Sequence, residues 1–232
     1  MKKKYSYIGI TLVILLFGSY VVRNVDRRID ENNLIDENRL NTVEKPRKES
    51  GLFTFSKVPN FSFTNQKGAL ITNKDYEGKV YVVEFFFSTC PTICPIMTRQ
   101  MLLLQNEFLN QKAFGIASIS ITPEIDTPEV LKDYAKNQGI IHQNWHLLTG
   151  KSEDEVYHLS TEGFRLYAGK SSGGHGGFEH SGLFALVDKN GYIRSRKDTY
   201  GNPILYYRAL KEQGFPDQIK ELKEDIKLLL DE

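Results

Sequence analysis

One run of nine residues, Lys79-Val80-Tyr81-Val82-Val83-Glu84-Phe85-Phe86-Phe87, constrains this 232-residue chain more than any other segment. A strand with one wet face alternates apolar and polar side chains, and this run barely alternates. It therefore has to be a central strand buried on both faces. The segments after it supply the cover. From Pro95 to Phe108, Met97, Met101, Leu104 and Phe108 recur at helical spacing, residues 115–121 make a second apolar strand, and residues 128–138 read as a helix. Residues 145–148 form a short strand and residues 153–163 a helix. Residues 182–187 and 192–196 pair as a hairpin around Lys189-Asn190-Gly191, and residues 217–230 make an amphipathic helix. Upstream, Phe61 and Phe63 face residues 69–72 across a turn at residues 65–68, which predicts another hairpin. The order predicts an α/β fold with a mixed central sheet flanked by helices.

The buried strand runs directly into Cys90-Pro91-Thr92-Ile93-Cys94-Pro95. The chain has two cysteines, and both lie in this string, so they cannot staple distant parts of the fold. A residue before proline avoids the α region, which predicts Cys94 as the helix cap and Pro95 as the first helical residue. A thiol at a helix amino terminus meets unsatisfied N–H groups and the positive end of the dipole, which favours the thiolate. Sites of open α/β folds lie at this end of the strands. Two sulfurs separated by three residues can straddle a metal ion, exchange a disulfide, or simply end a buried strand, and the spacing leaves all three open.

A metal would need a further donor, and there are five histidines. His158 falls in a polar helical pattern and is expected at the surface. His142 and His146 are four apart, but residues 144–148 read as a strand, so both are expected to be structural. His175 sits in the glycine-rich string of residues 171–177, where composition predicts a mobile loop. His180 precedes the strand that, in a thioredoxin-like domain, starts beside the cysteine loop. Redox thioredoxins carry a cis-proline there. No proline occurs here between Pro128 and Pro203, and an imidazole stands near its place.

At the amino terminus three lysines precede Tyr5, and the 18 residues from Tyr5 to Val22 carry no charge. As a helix they would extend about 27 Å, enough to span a bilayer once the flanking Lys and Arg snorkel, and a cleaved signal peptide is the competing reading. The reading is a short basic cytoplasmic tail (residues 1–4), one transmembrane anchor (residues 5–22), a polar tether (residues 23–57) and a domain (residues 58–232) on the exported, periplasmic side of an inner membrane. Lys and Arg total 30 against 29 for Asp and Glu, which offers no global field for nucleic acid.

Four strings, taken together and in order, resemble the SCO/SenC family of copper-binding, thioredoxin-like assembly factors of cytochrome c oxidase. They are residues 85–95, residues 118–128, Leu148-Thr149-Gly150, and His180-Ser181 followed by residues 186–191. The resemblance covers nearly the whole domain. It implies Cys90, Cys94 and His180 as copper ligands, Cu(I) or Cu(II) as the cargo, and a copper-accepting oxidase subunit as the partner. It also leaves room for a thioredoxin-like reductant. Soft thiolates favour Cu(I), two thiolates with an imidazole can also hold Cu(II), and Zn(II) accepts the same donors.

Two positions depart from the family pattern, Thr92 and Thr122, where many members carry Asp. Fewer negative charges near the site would stabilise Cu(II) less and alter docking to a partner. The resemblance implies a copper metallochaperone, with a thiol-disulfide oxidoreductase as the alternative; a peroxidase fits the proline-flanked cysteines less well. Met97 and Met101, at helical spacing, read as core and not as ligands.

Overall fold

The computed structural model describes residues 15–20, 51–170, 178–211 and 214–232. The chain divides into two units, residues 1–48 and residues 49–232. In the first, residues 15–20 are helical and exposed, and the rest of the expected span lies outside the described residues. No helix among the described residues is long and apolar enough to cross a membrane.

The second unit is built on a mixed sheet. Its strands are β1 (Phe53–Lys57), β2 (Ser62–Asn65), β3 (Leu70–Thr72), β4 (Val80–Phe86), β5 (Phe114–Ser120), β6 (Trp145–Thr149), β9 (Leu183–Val187), β10 (Tyr192–Ser195) and β11 (Tyr207–Arg208). The order across it is β1-β10-β9-β4-β5-β6-β2-β3, with β11 paired to β9. Between β6 and β9, β7 (Ala168–Lys170) and β8 (Phe178–His180) form a separate two-stranded ribbon. The helices are α1 (Cys94–Phe108), α2 (Pro128–Gln138), α3 (Glu153–His158) and α4 (Ile219–Asp231).

Every residue of β4 and β5 is buried, as their apolar composition requires. The two strands run parallel in the register Val80↔Phe114 to Phe86↔Ser120, and β6 continues the parallel set. Parallel neighbours need crossovers, and right-handed crossovers put α1 and α2 on one face of the sheet. Contacts between the two helices follow: Thr98 Oγ1 lies 2.8 Å from Tyr134 Oη, and the Gln105 amide donates to the Gly139 carbonyl at 3.1 Å. Met97 and Met101 on α1 are fully buried in this layer. β9 flanks β4 on its other side, antiparallel, and α4 packs against β4 and β11. Each of the expected strands and helices of the domain is present.

The sheet starts earlier than the polar composition suggested. Phe53–Lys57, placed in the tether on composition, pairs antiparallel with β10 in the register Phe53↔Ser195, and Phe55 packs on the core. A strand at the sheet margin can be half exposed, so a weakly apolar segment suffices there.

One charged type sits inside β4. Glu84 is 2% exposed, accepts a hydrogen bond from Ser118 Oγ at 2.6 Å, and Ser118 Oγ in turn accepts from the Trp145 indole at 3.0 Å. Among the described residues its Oε2 has no hydrogen-bond partner. Burial, only partly offset by the Ser118 bond, pushes the Glu84 carboxyl up to about 7.

Candidate metal centre

The cysteine loop occupies the gap between the end of β4 and the start of α1, at the carboxyl edge of the parallel strands. The Cys90 amide donates to the Phe87 carbonyl at 3.2 Å, so Phe87 to Cys90 close a tight turn. The helix then starts one residue earlier than the proline rule suggested. The Ile93 carbonyl accepts from the amides of Ile96 and Met97, at 3.0 and 2.9 Å, which makes Ile93 the cap. Cys94 is therefore the first helical residue, and its thiol sits within the first turn. Ile93 offers no capping side chain, so no side-chain acceptor competes there with the sulfur.

His180 arrives from the β7/β8 ribbon, where it pairs with Ala168, and the next amide, that of Ser181, donates to the Tyr167 carbonyl at 3.0 Å. Its Nδ1 lies 3.2 Å from the Ser181 carbonyl. A carbonyl can only accept, so Nδ1 carries a proton and Nε2 is the nitrogen turned toward the sulfurs. That Nε2 lies 3.1 Å from Cys94 Sγ. Phe87 meets the imidazole edge-on at 5.8 Å between ring centroids, and Phe178 packs on Phe87 at 5.6 Å. Cys90, Cys94 and His180 are 7%, 2% and 6% exposed, so the donors are largely shielded from bulk water.

The donor atoms of Cys90, Cys94 and His180 all lie within 4.8 Å of one another. An ion about 2.3 Å from each sulfur and about 2.0 Å from the nitrogen would need donor separations of roughly 3.5–4 Å. Small side-chain rotations meet that requirement, so the residues present fit a soft metal ion. The two sulfurs are electrostatically unequal. The Cys94 thiol donates to Cys90, which holds the Cys90 thiol well below its ordinary range; His180 and the amides of Cys94 and Thr92 add to this against the cost of burial. The same hydrogen bond to Cys90, followed by burial and the nearby charges of Cys90 and Glu84, pushes the Cys94 thiol up. The pair thus gives up one proton more readily than the other, and a metal ion bound by both sulfurs would displace any proton that remains.

His142, His146 and His158 lie elsewhere. His142 is buried, with Nε2 3.2 Å from the Phe108 carbonyl and Nδ1 accepting from the Asn144 amide. His146 Nδ1 lies 3.2 Å from the Asn65 amide nitrogen. Burial pushes both imidazoles down, His146 to about 4. His158 is exposed at the end of α3, and His175 lies outside the described residues. Thr92 Oγ1 lies 3.8 Å from Cys90 Sγ, whereas Thr122 turns away to donate to Asp126 at 3.1 Å.

Asp126 escaped the residue-by-residue reading. It is fully buried and accepts four hydrogen bonds: from the Ser88 amide at 3.1 Å, from the Ser88 hydroxyl, from Ser120 Oγ at 2.5 Å and from Thr122 Oγ1 at 3.1 Å. The string Thr122-Pro123-Glu124-Ile125-Asp126-Thr127-Pro128 was visible as a motif, but nothing local to it points to Ser88, 38 residues upstream.

The chain is similar to several known proteins. A family model described as SCO1/SenC matches residues 50–213. The SCO1 protein homolog of Bacillus subtilis (strain 168) is 33% identical over 167 residues, covering 72% of this chain and 81% of that protein. Among solved structures, BsSco, described as a member of the Sco family of cytochrome c oxidase assembly proteins with a disulfide switch, has a TM-score of 0.62 at 28% identity. That match covers 75% of this chain and 93% of BsSco. Yeast Sco1 with copper bound has a TM-score of 0.53 at 25% identity, over 74% of this chain and 89% of the yeast chain.

Proposed function

Because the chain belongs to the SCO1/SenC family, we propose that it is a copper metallochaperone that delivers copper to the dinuclear copper centre of cytochrome c oxidase or a similar respiratory enzyme. The observation that carries the reading is the convergence of Cys90, Cys94 and His180, two soft sulfurs and one imidazole, within 4.8 Å. Copper, as the cargo, is held by Cys90 and Cys94 through sulfur and by His180 through Nε2. Both sulfurs bind as thiolates, and any proton they carry leaves as the ion binds. Two thiolates suit Cu(I), and the imidazole with an open position accommodates Cu(II) as well. An incomplete shell serves a carrier, because a recipient's ligand can enter before the donor's ligands leave. The uncharged span from Tyr5 to Val22 and its basic tail support an inner-membrane anchor with the domain on the exported side, where respiratory copper centres are assembled.

A second reading draws on the unequal sulfurs. A lowered thiol beside a raised one suits a thiol-disulfide oxidoreductase that reduces client cysteines before metallation, itself recharged by a thioredoxin-like reductant. His180 separates the two roles, because it is a ligand of the metal in one and only a secondary hydrogen-bond partner of Cys90, after Cys94, in the other. In cells carrying only His180→Ala, a carrier loses oxidase activity and copper at the dinuclear centre, while disulfide exchange by the purified protein persists. Normal oxidase activity and copper content without copper supplementation would refute the carrier reading in favour of the reductase.

A further inference from the structure

The turn that presents Cys90 is gripped at two points. Phe87, its first residue, is wedged between Phe178 and the His180 ring. Ser88, its second, is bound through both amide and hydroxyl to Asp126, a residue of the loop between β5 and α2. Ser120 and Thr122 complete the carboxylate's hydrogen bonding from its own side of the crossover, and all four donors are uncharged. The bonds to Ser88 are of a different kind. No strand or helix requires them, since the β4/β5 ladder ends at Phe86↔Ser120 and the helix begins only at Cys94.

We infer that Asp126 is the positioning residue of the cysteine loop: by holding Ser88 it fixes the turn from Phe87 to Cys90 and keeps the Cys90 sulfur within reach of Cys94 and His180. The geometry is that of a lever. Cys90 follows Ser88 by two residues and closes the turn on the Phe87 carbonyl, so a displacement at Ser88 is passed to the sulfur with little to absorb it. A carboxylate suits the task better than a neutral acceptor, because hydrogen bonds to an ionised group are shorter and stronger and its two oxygens can serve Ser88 twice. Burial away from water makes each of those bonds harder to exchange for solvent. This inference deepens the copper reading and, in its metal-bound arm, rests on it.

The test uses the full-length protein with two substitutions, Ser88→Ala and Asp126→Asn, and Tyr207→Phe as a stability control. Tyr207→Phe removes a buried hydroxyl that donates to Asp225 at 2.6 Å and accepts from the Arg196 amide, and neither partner belongs to the site. Two quantities are read: Cu(I) affinity by competition with a chromophoric chelator, and the metal-free equilibrium of the Cys90 and Cys94 thiols with their disulfide in a dithiol buffer. Ser88→Ala, which keeps the amide bond to Asp126, is expected to weaken Cu(I) binding by about 10-fold, the lower end of what loss of supporting hydrogen bonds costs metal sites. Asp126→Asn is expected to weaken it further. Both are expected to shift the equilibrium away from the disulfide, because a freed turn no longer holds the Cys90 sulfur within reach of Cys94, while Tyr207→Phe leaves both readouts at the wild-type value. Should Asp126→Asn fail to fold, Ser88→Ala alone decides. Wild-type copper affinity and wild-type disulfide equilibrium in Ser88→Ala would overturn the inference. A wild-type protein that retains no copper, with the disulfide shift still present in Ser88→Ala, would refute the carrier reading and leave the positioning role supported.

Discussion

Glu84 lies at the centre of β4 with one oxygen bonded to Ser118 and the other without a partner, so its charge is costly to keep there. Burial raises its carboxyl from 4.5 to about 7. The native state therefore holds this proton more tightly than the unfolded chain does, and raising the pH from about 4.5 through 7 removes stability. Moving one group across that interval corresponds to about 3 kcal/mol, reached in full only above pH 7 and absent below the unfolded value. Glu84→Gln keeps the shape, lets the side-chain oxygen still accept from Ser118, and deletes the charge. Metal-free protein would be unfolded in urea at pH 5 and pH 8.5, and the stability difference between wild type and variant compared at the two values. Because every other titrating group, His146 included, is common to both proteins, that difference isolates Glu84. The variant should gain about 2–3 kcal/mol relative to wild type on going from pH 5 to pH 8.5. A change below about 1 kcal/mol would mean that the buried carboxyl is solvated or paired in solution, and the reasoning from burial would fail.

Three further outcomes follow from the same geometry. Cys90→Ser should abolish tight copper binding by the reduced protein, since a hydroxyl is neither soft nor ionised near neutral pH; wild-type affinity in a chelator competition would eliminate the proposed ligand set. Met101→Ala should cost about 2–5 kcal/mol in chemical denaturation, because Met101 is fully buried beneath α1, yet folded variant should still bind one copper ion per chain; loss of copper at intact stability would recast the methionine as a ligand. Protease added to cells with a permeabilised outer layer should digest the domain that follows Val22, as export requires, and full protection would place it in the cytoplasm.

How far the amino-acid sequence alone reaches is clearest along β4. An unbroken apolar run has no face to give to water, so residues 79–87 dictate an interior strand wherever the rest of the chain goes. Helical spacing likewise determines that Met97 and Met101 point into the core, and two cysteines four residues apart must share one neighbourhood. These are short-range consequences, set by backbone periodicity and burial over a dozen residues. His180 could be chosen over four other histidines only through its place before a strand and through family resemblance.

What tertiary structure decided involves residues far apart in the chain. The 3.1 Å approach of His180 to Cys94 spans 86 positions and depends on where the β7/β8 ribbon lands against the cysteine loop. The grip of Asp126 on Ser88 depends on the parallel register that brings Ser120 level with Phe86. Phe53–Lys57 became a strand because β10 had a free edge, not because its own composition demanded it. Even the start of α1 turned on which carbonyl closed the first hydrogen bond, and Ile93 did so ahead of Cys94. Local preferences select the elements; side-chain pairing across them is settled only when packing fixes their register, since a hydrogen bond or a ligand set tolerates errors of a few tenths of an ångström and periodicity specifies positions no better than a whole residue.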